Sequence, residues 1–130
     1  MADFGDVKAL VQELQLSIVN DDATEGILVV DDEERGIKNL VIDCEDPVLI
    51  FEQMIMGVPG HPGDMFKRLL QMNRTLVHGA FVLDEEARRV LFRDTLQLAN
   101  LDLNEVEGMV EALSLALAEN AAELIGFSHQ

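Results

Sequence analysis

Three histidines are the side chains of this sequence best suited to act as bases or metal ligands. His61 lies in the loop-forming segment 59–63, His78 precedes Gly79, and His129 lies in the C-terminal tail. None of them has a carboxylate or a second ligand at the spacing of a known motif. Polar surface is therefore the favoured interpretation of each histidine. A metal protein or enzyme that uses His61 with nearby acids is kept as an alternative hypothesis.

Nucleophilic chemistry is also weakly indicated. Cys44 is the single cysteine, so no intramolecular disulfide is possible and a reducing cytoplasm is the expected compartment. It has no histidine at a family-specific spacing and is expected to behave as a small apolar residue. Ser17, Ser114 and Ser128 occur in no nucleophile-elbow sequence. We therefore predict a protein that is not an enzyme, with no catalytic residue, no metal and no cofactor.

The acidic side chains occur in clusters that resemble cation sites only in their charge. Residues 31–34 read Asp-Asp-Glu-Glu, and acidic pairs occur at 21–22 and 85–86. The alternating oxygen ligands, central glycine and closing glutamate of an EF-hand are absent. Each cluster lies where a turn is predicted, so solvated turns are favoured over calcium sites.

The overall charge limits the partners that this surface can meet. The chain has a formal net charge of -16 over 130 residues, although 48% of its residues are hydrophobic. Repulsion disfavours nucleic acid and anionic membranes, whereas a basic peptide, a cationic protein segment or a metal ion remains possible. Solubility alone is the simpler explanation of the excess acid.

Length and sequence pattern predict a single cytoplasmic domain over residues 1–130. No apolar run is long enough to span a membrane, and the acidic N-terminal residues do not resemble a secretory signal.

The spacing of apolar residues predicts the elements that would position these side chains. Between Phe4 and Leu14 the apolar residues follow the spacing of one helical face, and turn formers at 20–22 end this pattern. Three strands are then predicted, at 27–30, 37–43 and 48–58.

The second half of the chain predicts a helix at 64–73, a β-hairpin of strands 79–84 and 89–96, and a final helix. Asp102 or Asn104 can cap this last helix, and Gly126 is expected to end it. The predicted fold class is α+β, in the order helix, three strands, helix, two strands, helix, with helices packed on an antiparallel sheet.

The strand predicted at 48–58 is apolar on both of its faces. Leu49 and Phe51 lie on one face, whereas Ile50, Met54 and Met56 lie on the other. A strand of this kind is usually central and covered by helices or by a partner subunit.

Several stretches of this sequence resemble one known family. They are the strand and loop at 49–59, the helix at 66–73 with its Leu-Leu-x-x-Asn pattern, and the segments 79–84, 90–93 and 101–105. Together they are similar to the type III secretion chaperone-like fold, which includes the Tir-chaperone (CesT) family and YbjN-type relatives.

This resemblance implies a small acidic homodimer in the cytosol that binds an extended segment of a client protein without enzymatic activity. In that fold the segment pairs with sheet edges and fills apolar grooves. A regulatory or stress-response adaptor of the YbjN type, with no secreted client, is the alternative. The candidate partner groove comprises Phe4, Val7, Leu28 and Val30, and the candidate dimer interface comprises Met54, Met56, Leu69, Leu70 and Met72.

Overall fold

The computed structural model describes residues 2–129 and contains a six-stranded antiparallel sheet with three α-helices. The strand order in the sheet is β1-β2-β3-β4-β6-β5. This architecture confirms the predicted α+β class. The elements are α1 Phe4–Glu13, β1 Ser17–Asp22, β2 Ile27–Asp32, a short 3-10 turn Glu33–Arg35, β3 Ile37–Glu45, β4 Val48–Gly57, α2 Met65–Asn73, β5 Ala80–Leu83, β6 Arg89–Gln97 and α3 Leu103–Ser128.

The predicted count of strands before α2 was three, and the structure has four. The additional strand is β1, whose second half occupies residues 20–22, where a turn was predicted. These polar residues are tolerated because β1 is an edge strand that pairs with β2 only, leaving Asn20 and Asp21 exposed. Lys8 of α1 forms an ion pair with Asp21, which ties the helix to this edge.

The prediction that the 48–58 segment is a central strand is confirmed, because β4 lies between β3 and β6. The simple alternation predicted for it holds only as far as Met54. A register shift between Met54 and Met56 in the pairing with β6 breaks the alternation. Met54 is consequently 53% exposed while Met56 is only 8% exposed and joins the core.

The core lies between one face of the sheet and the helices. Apolar side chains from β2, β3, β4 and β6 alternate onto this face, as the two-residue period of a strand requires. Gln53 is the buried polar residue there, and its amide accepts from Lys38 N at 3.1 Å and donates to Gly36 O at 3.2 Å. The largest fully buried side chains are Phe51, Phe92, Leu28, Ile37, Leu40, Ile42, Leu49, Met65, Met109, Leu113, Val7 and Val11.

Aspartates cap two of the helices. Asp3 and Asp6 form a reciprocal capping box at α1. The Asp102 carboxylate accepts from Glu105 N at 2.9 Å at the start of α3, as predicted. The prediction that Gly126 ends α3 was wrong, because the helix continues to Ser128. Phe127 is buried against the core, and this packing offsets the weak helix propensity of glycine.

The predicted turn between β5 and β6 is confirmed and is organised by one carboxylate. Asp84 accepts from Arg88 N at 2.8 Å and from Arg89 N at 3.2 Å. The hydrogen bond from the Arg88 amide is the main reason that the pKa of Asp84 is lowered. The Asp84 carboxylate therefore stabilises the hairpin turn between β5 and β6.

Candidate protein-binding surfaces

The three histidines lie on exposed positions, which matches their interpretation as polar surface. Within residues 2–129, no three histidine, cysteine, aspartate or glutamate side chains come together in a group that could hold a metal ion. The His61 alternative therefore gains no support from the arrangement of its neighbours.

The acidic run at 31–34 borders an open depression of about 770 Å³, and its two aspartates are already engaged. Asp31 accepts from Asn39 N at 2.7 Å and from Lys38 Nζ at 3.2 Å. The bond from the Asn39 amide is the main cause of the lowered pKa of Asp31. Asp32 pairs with Arg35 at 3.3 Å. These contacts of Asp31 and Asp32 stabilise the turn that the sequence predicted here.

Cys44 packs against the core and is not activated as a nucleophile. It pairs with Leu49 on the core face of the sheet. Burial, followed by the charge of neighbouring Asp43, raises the pKa of its thiol. A raised pKa keeps the sulfur protonated at neutral pH, which agrees with the small apolar role expected for Cys44.

Helix α2 carries one buried and one exposed apolar face. Met65, Leu69 and Met72 are buried, whereas Phe66 is 37% and Leu70 is 72% exposed. The exposed side chains Phe66, Lys67, Leu70 and Arg74, which are close together by helical spacing, are called the α2 surface below.

The α2 surface differs in charge from the rest of the chain. Residues 65–83 contain no aspartate or glutamate, although the sequence has 25 acids and a net charge of -16. Within residues 2–129, neither Lys67 nor Arg74 forms an ion pair. An apolar centre with free cations at its border is suited to contact an acidic protein surface.

The structure divides the residues predicted for the dimer interface into two groups. Leu70 and Met54 are strongly exposed, so both are available to a second molecule. The other three pack inside their own chain because their helix or strand turns them toward the sheet core. These are Met56, Leu69 and Met72.

The predicted partner groove does not form an exposed surface in this structure. Val7, Leu28 and Val30 are at most 1% exposed, and Phe4 is half-buried against the core. Leu28 and Val30 occupy the face of β2 that α1 and α3 cover, so their neighbours Ile27 and Val29 are the ones turned away from the helices.

The opposite side of the sheet carries an apolar surface that sequence reasoning missed. Pairing places Val29, Val41 and Glu52 in one row across the strands, and Ile27, Asp43 and Ile50 in the next. In residues 2–129, the apolar side chains of this side do not pack on the helix-covered core. The half-buried apolar residues Ile27, Val29, Val41, Ile50, Val82 and Leu91 define what is called the outer sheet face below.

The signal for this surface was present in the sequence as strands that are apolar on both sides. Periodicity shows that Val29 and Leu28 point in opposite directions, but it does not show which of them meets a helix. Only the placement of all three helices on one side of the sheet identifies the uncovered face.

A smaller apolar groove lies between the end of β4 and the C-terminal half of α3. It encloses about 290 Å³ and includes Ile125, which is 55% exposed. Its remaining lining side chains are Ile55, Met56, Leu117, Ala121, Leu124 and Ser128.

The fold is an α+β sheet with helices on one side, and the class that it defines is the chaperone fold shared by type III secretion chaperones and YbjN. The CesT_Tir_1 family model matches residues 1–130, so the chain belongs to the CesT_Tir_1 family. No curated protein sequence matches the chain significantly.

Three solved structures illustrate the likeness. YbjN from E. coli, described as a candidate transcription regulator, has a TM-score of 0.73 at 15% identity, covering 94% of this chain and 93% of its own. A chain of the HopA1–SchA chaperone–effector complex has a TM-score of 0.62 at 13% identity, covering 98% and 94%. The Yersinia pestis secretion chaperone SycH, in complex with a fragment of YscM2, has a TM-score of 0.56 at 13% identity, covering 93% and 95%.

Hydropathy along the helices adds one further finding. In the part of the chain that the structure describes, no helix combines the length and the apolar character needed to cross a bilayer.

Proposed function

We propose that this chain is a non-enzymatic, cytosolic protein-binding module that forms a homodimer and holds an extended segment of a client protein. It acts as one domain, covering residues 1–130. The α2 surface is the observation that carries the proposal, because it exposes apolar side chains in a segment without aspartate or glutamate, in a chain of net charge -16. Membership of a family with a chaperone fold agrees with this role.

Charge argues for the α2 surface as the place where two copies meet. Two chains that each carry -16 repel one another over most of their area. Contact at residues 65–83 brings no aspartate or glutamate of that segment together, and Lys67 and Arg74 at its border can face acids of the other copy that lie outside the segment. Leu70, at 72% exposed, then becomes the centre of the interface.

The sheet edges and the outer sheet face remain for the client. One edge strand, β5, lies beside α2, whereas β1 has a free edge on its far side in the described residues. A free edge accepts an additional strand through main-chain hydrogen bonds, and adjacent apolar surface then selects its side chains.

Two measurements on the intact purified chain test this function. Light scattering is expected to give twice the monomer mass of 14.4 kDa at micromolar concentration. Photo-crosslinking in the native cell, with the reactive group at Val29 or Leu70, is expected to trap one client protein and a second copy respectively. A monomer that traps no protein from either position would refute the proposal.

A regulatory adaptor without a secreted client is the second candidate. The TM-score to YbjN is 0.73, higher than the 0.62 and 0.56 to the two secretion complexes. The same crosslinking separates the two roles, because an adaptor would trap a resident cytosolic regulator whereas a chaperone would trap an exported protein.

A further inference from the structure

Asp43 is a carboxylate set in the middle of the apolar outer sheet face. Its cross-strand neighbours are Ile27 on β2 and Ile50 on β4. Val41 precedes it by two residues on the same side of β3. Together with Glu52, the side chains of Val41, Asp43 and Ile50 line a shallow depression of about 180 Å³. An acid is thus surrounded by β-branched side chains on three sides.

Among the residues that the structure describes, no cation forms an ion pair with this carboxylate. Its Oδ1 atom is shielded from solvent and has no hydrogen-bond partner in the described residues. The nearby acid Glu52 is engaged, because Arg93 donates to it at 3.1 Å. Desolvation, followed by the charge of Glu45, raises the pKa of Asp43. The uncovered face therefore holds, beside Glu45, a carboxylate oxygen that accepts no hydrogen bond within residues 2–129.

Burying this face without a hydrogen-bonding or charged partner for the Asp43 carboxylate would be unfavourable. A partner that buried the apolar residues would also remove the remaining water from the carboxylate, and an unpaired buried charge is strongly destabilising. A cationic side chain that entered the depression would instead form a charge-assisted hydrogen bond among apolar neighbours. The chemistry of the face thus selects a partner that is both apolar and basic.

We propose that the outer sheet face binds a segment of the client protein that places one arginine or lysine on Asp43, with apolar side chains over Val29, Val41 and Ile50. This rests on the proposed protein-binding function and specifies the chemistry of the partner. A second copy could offer only its acid-free segment 65–83, which contains the α2 surface and is already occupied in the proposed dimer, so a client segment is the favoured occupant.

Selection from a phage library of random dodecapeptides on the intact native chain tests this inference. Peptides that depend on the outer sheet face are identified by loss of binding to Ile50→Glu. These peptides are expected to be enriched in a single arginine or lysine between apolar residues. Selection on Asp43→Asn is expected to lose this enrichment, whereas selection on Glu34→Gln, which removes the same charge from an exposed turn, is expected to keep it.

A substitution in the peptide tests the inference without relying on a protein variant that could misfold. Replacing the selected arginine by neutral citrulline, with the native protein unchanged, is expected to weaken binding about tenfold, since the hydrogen bond to Asp43 loses its cationic donor. Equal binding of the arginine and citrulline peptides would overturn the inference. Failure to select any face-dependent peptide, or equal basic enrichment on Asp43→Asn, would overturn it too.

The experiments distinguish a failure of this inference from a failure of the proposed protein-binding function. If Ile50→Glu changes the mass in light scattering, the outer sheet face is a contact between copies and the inference fails. If a client crosslinks to the native chain but face-dependent peptides show no basic preference, only the inference fails. The protein-binding function then stands.

Discussion

The side chain of Asn73 brackets the backbone of Phe81. Asn73 Nδ2 donates to Phe81 O at 3.1 Å, and Phe81 N donates to Asn73 Oδ1 at 2.7 Å. Asn73 is the last residue of α2, and Phe81 lies in the edge strand β5. The amide therefore takes the place of a neighbouring strand at this point and joins α2 to the sheet. It gives a physical reason for asparagine at the end of the Leu-Leu-x-x-Asn pattern.

Replacing Asn73 by alanine is expected to destabilise the fold. Both hydrogen bonds are lost and two backbone groups of a partly buried strand are left unpaired, which costs roughly 1–3 kcal/mol. Urea denaturation measures the change in the free energy of unfolding. Asn120→Ala is the matched control, because the Asn120 amide donates to the Ala116 carbonyl of its own helix, α3. Equal effects of the two substitutions would show that the two Asn73–Phe81 hydrogen bonds contribute no particular stability.

Replacing Leu70 by aspartate is expected to dissociate the proposed dimer. A charge at the centre of an interface that must bury on the order of 1,600 Å² is not tolerated. Light scattering measures the mass, and circular dichroism checks the fold. Leu115→Asp provides the control, since Leu115 is 54% exposed on α3, outside the α2 surface. A dimer that survives Leu70→Asp would exclude the α2 surface as its interface.

Gly79→Ala is expected to be among the more damaging small substitutions. Gly79 has a φ of +72°, and an added Cβ would overlap the Phe92 ring and lie 3.0 Å from Arg93 O. Backbone strain and overpacking each cost about 1–3 kcal/mol. Thermal denaturation of Gly60→Ala serves as the control, because nothing lies within 4 Å of its added Cβ. A comparably small loss in both variants would mean that the Phe92 ring moves aside freely.

The ion pair between Arg68 and Glu123 predicts an acid-dependent loss of stability. Arg68 Nε and Nη2 donate to the Glu123 carboxylate at 2.6 and 2.9 Å, and these bonds lower the pKa of Glu123. A carboxyl with a lowered folded pKa stabilises the fold above its ordinary value of 4.5 and loses that contribution as the pH falls through the folded value.

Denaturation at several pH values measures this contribution. The stability advantage of the native chain over Glu123→Gln is expected at neutral pH and to vanish in strong acid. It is small, because both side chains are partly exposed. Glu119→Gln, an exposed change on the same helix, is expected to show no such trend. A constant difference between native chain and Glu123→Gln at all pH values would contradict the sign.

Asp43→Asn is expected to stabilise the free protein at neutral pH. Because desolvation raises the folded pKa of Asp43, its ionised form opposes folding above that value. The gain should shrink as the pH falls and the native carboxyl becomes protonated. Urea denaturation of both proteins across this range measures it. A stability loss at neutral pH would indicate that Asp43 has a stabilising partner in solution.

The sequence predicted those elements whose local signals agree with their packing. Asp102 is both a good helix cap and the observed one. Turn formers at 20–22 misled the interpretation because an edge strand can expose polar side chains. Gly126 misled it because a buried Phe127 keeps α3 helical beyond it. At residues 20–22 and at Gly126, tertiary contacts outweighed the local conformational preference.

The sequence by itself determined the fold class, the order of most elements, the acidic character and the resemblance to secretion chaperones. It could not determine which side of each two-sided strand is covered. Leu28 and Val29 are equally apolar, and the helices cover only the first of them. That choice depends on where α1 and α3 pack across the sheet, which adjacent residues of a strand do not encode. Tertiary structure alone thus buried the predicted partner groove and left Asp43 in the middle of an open face.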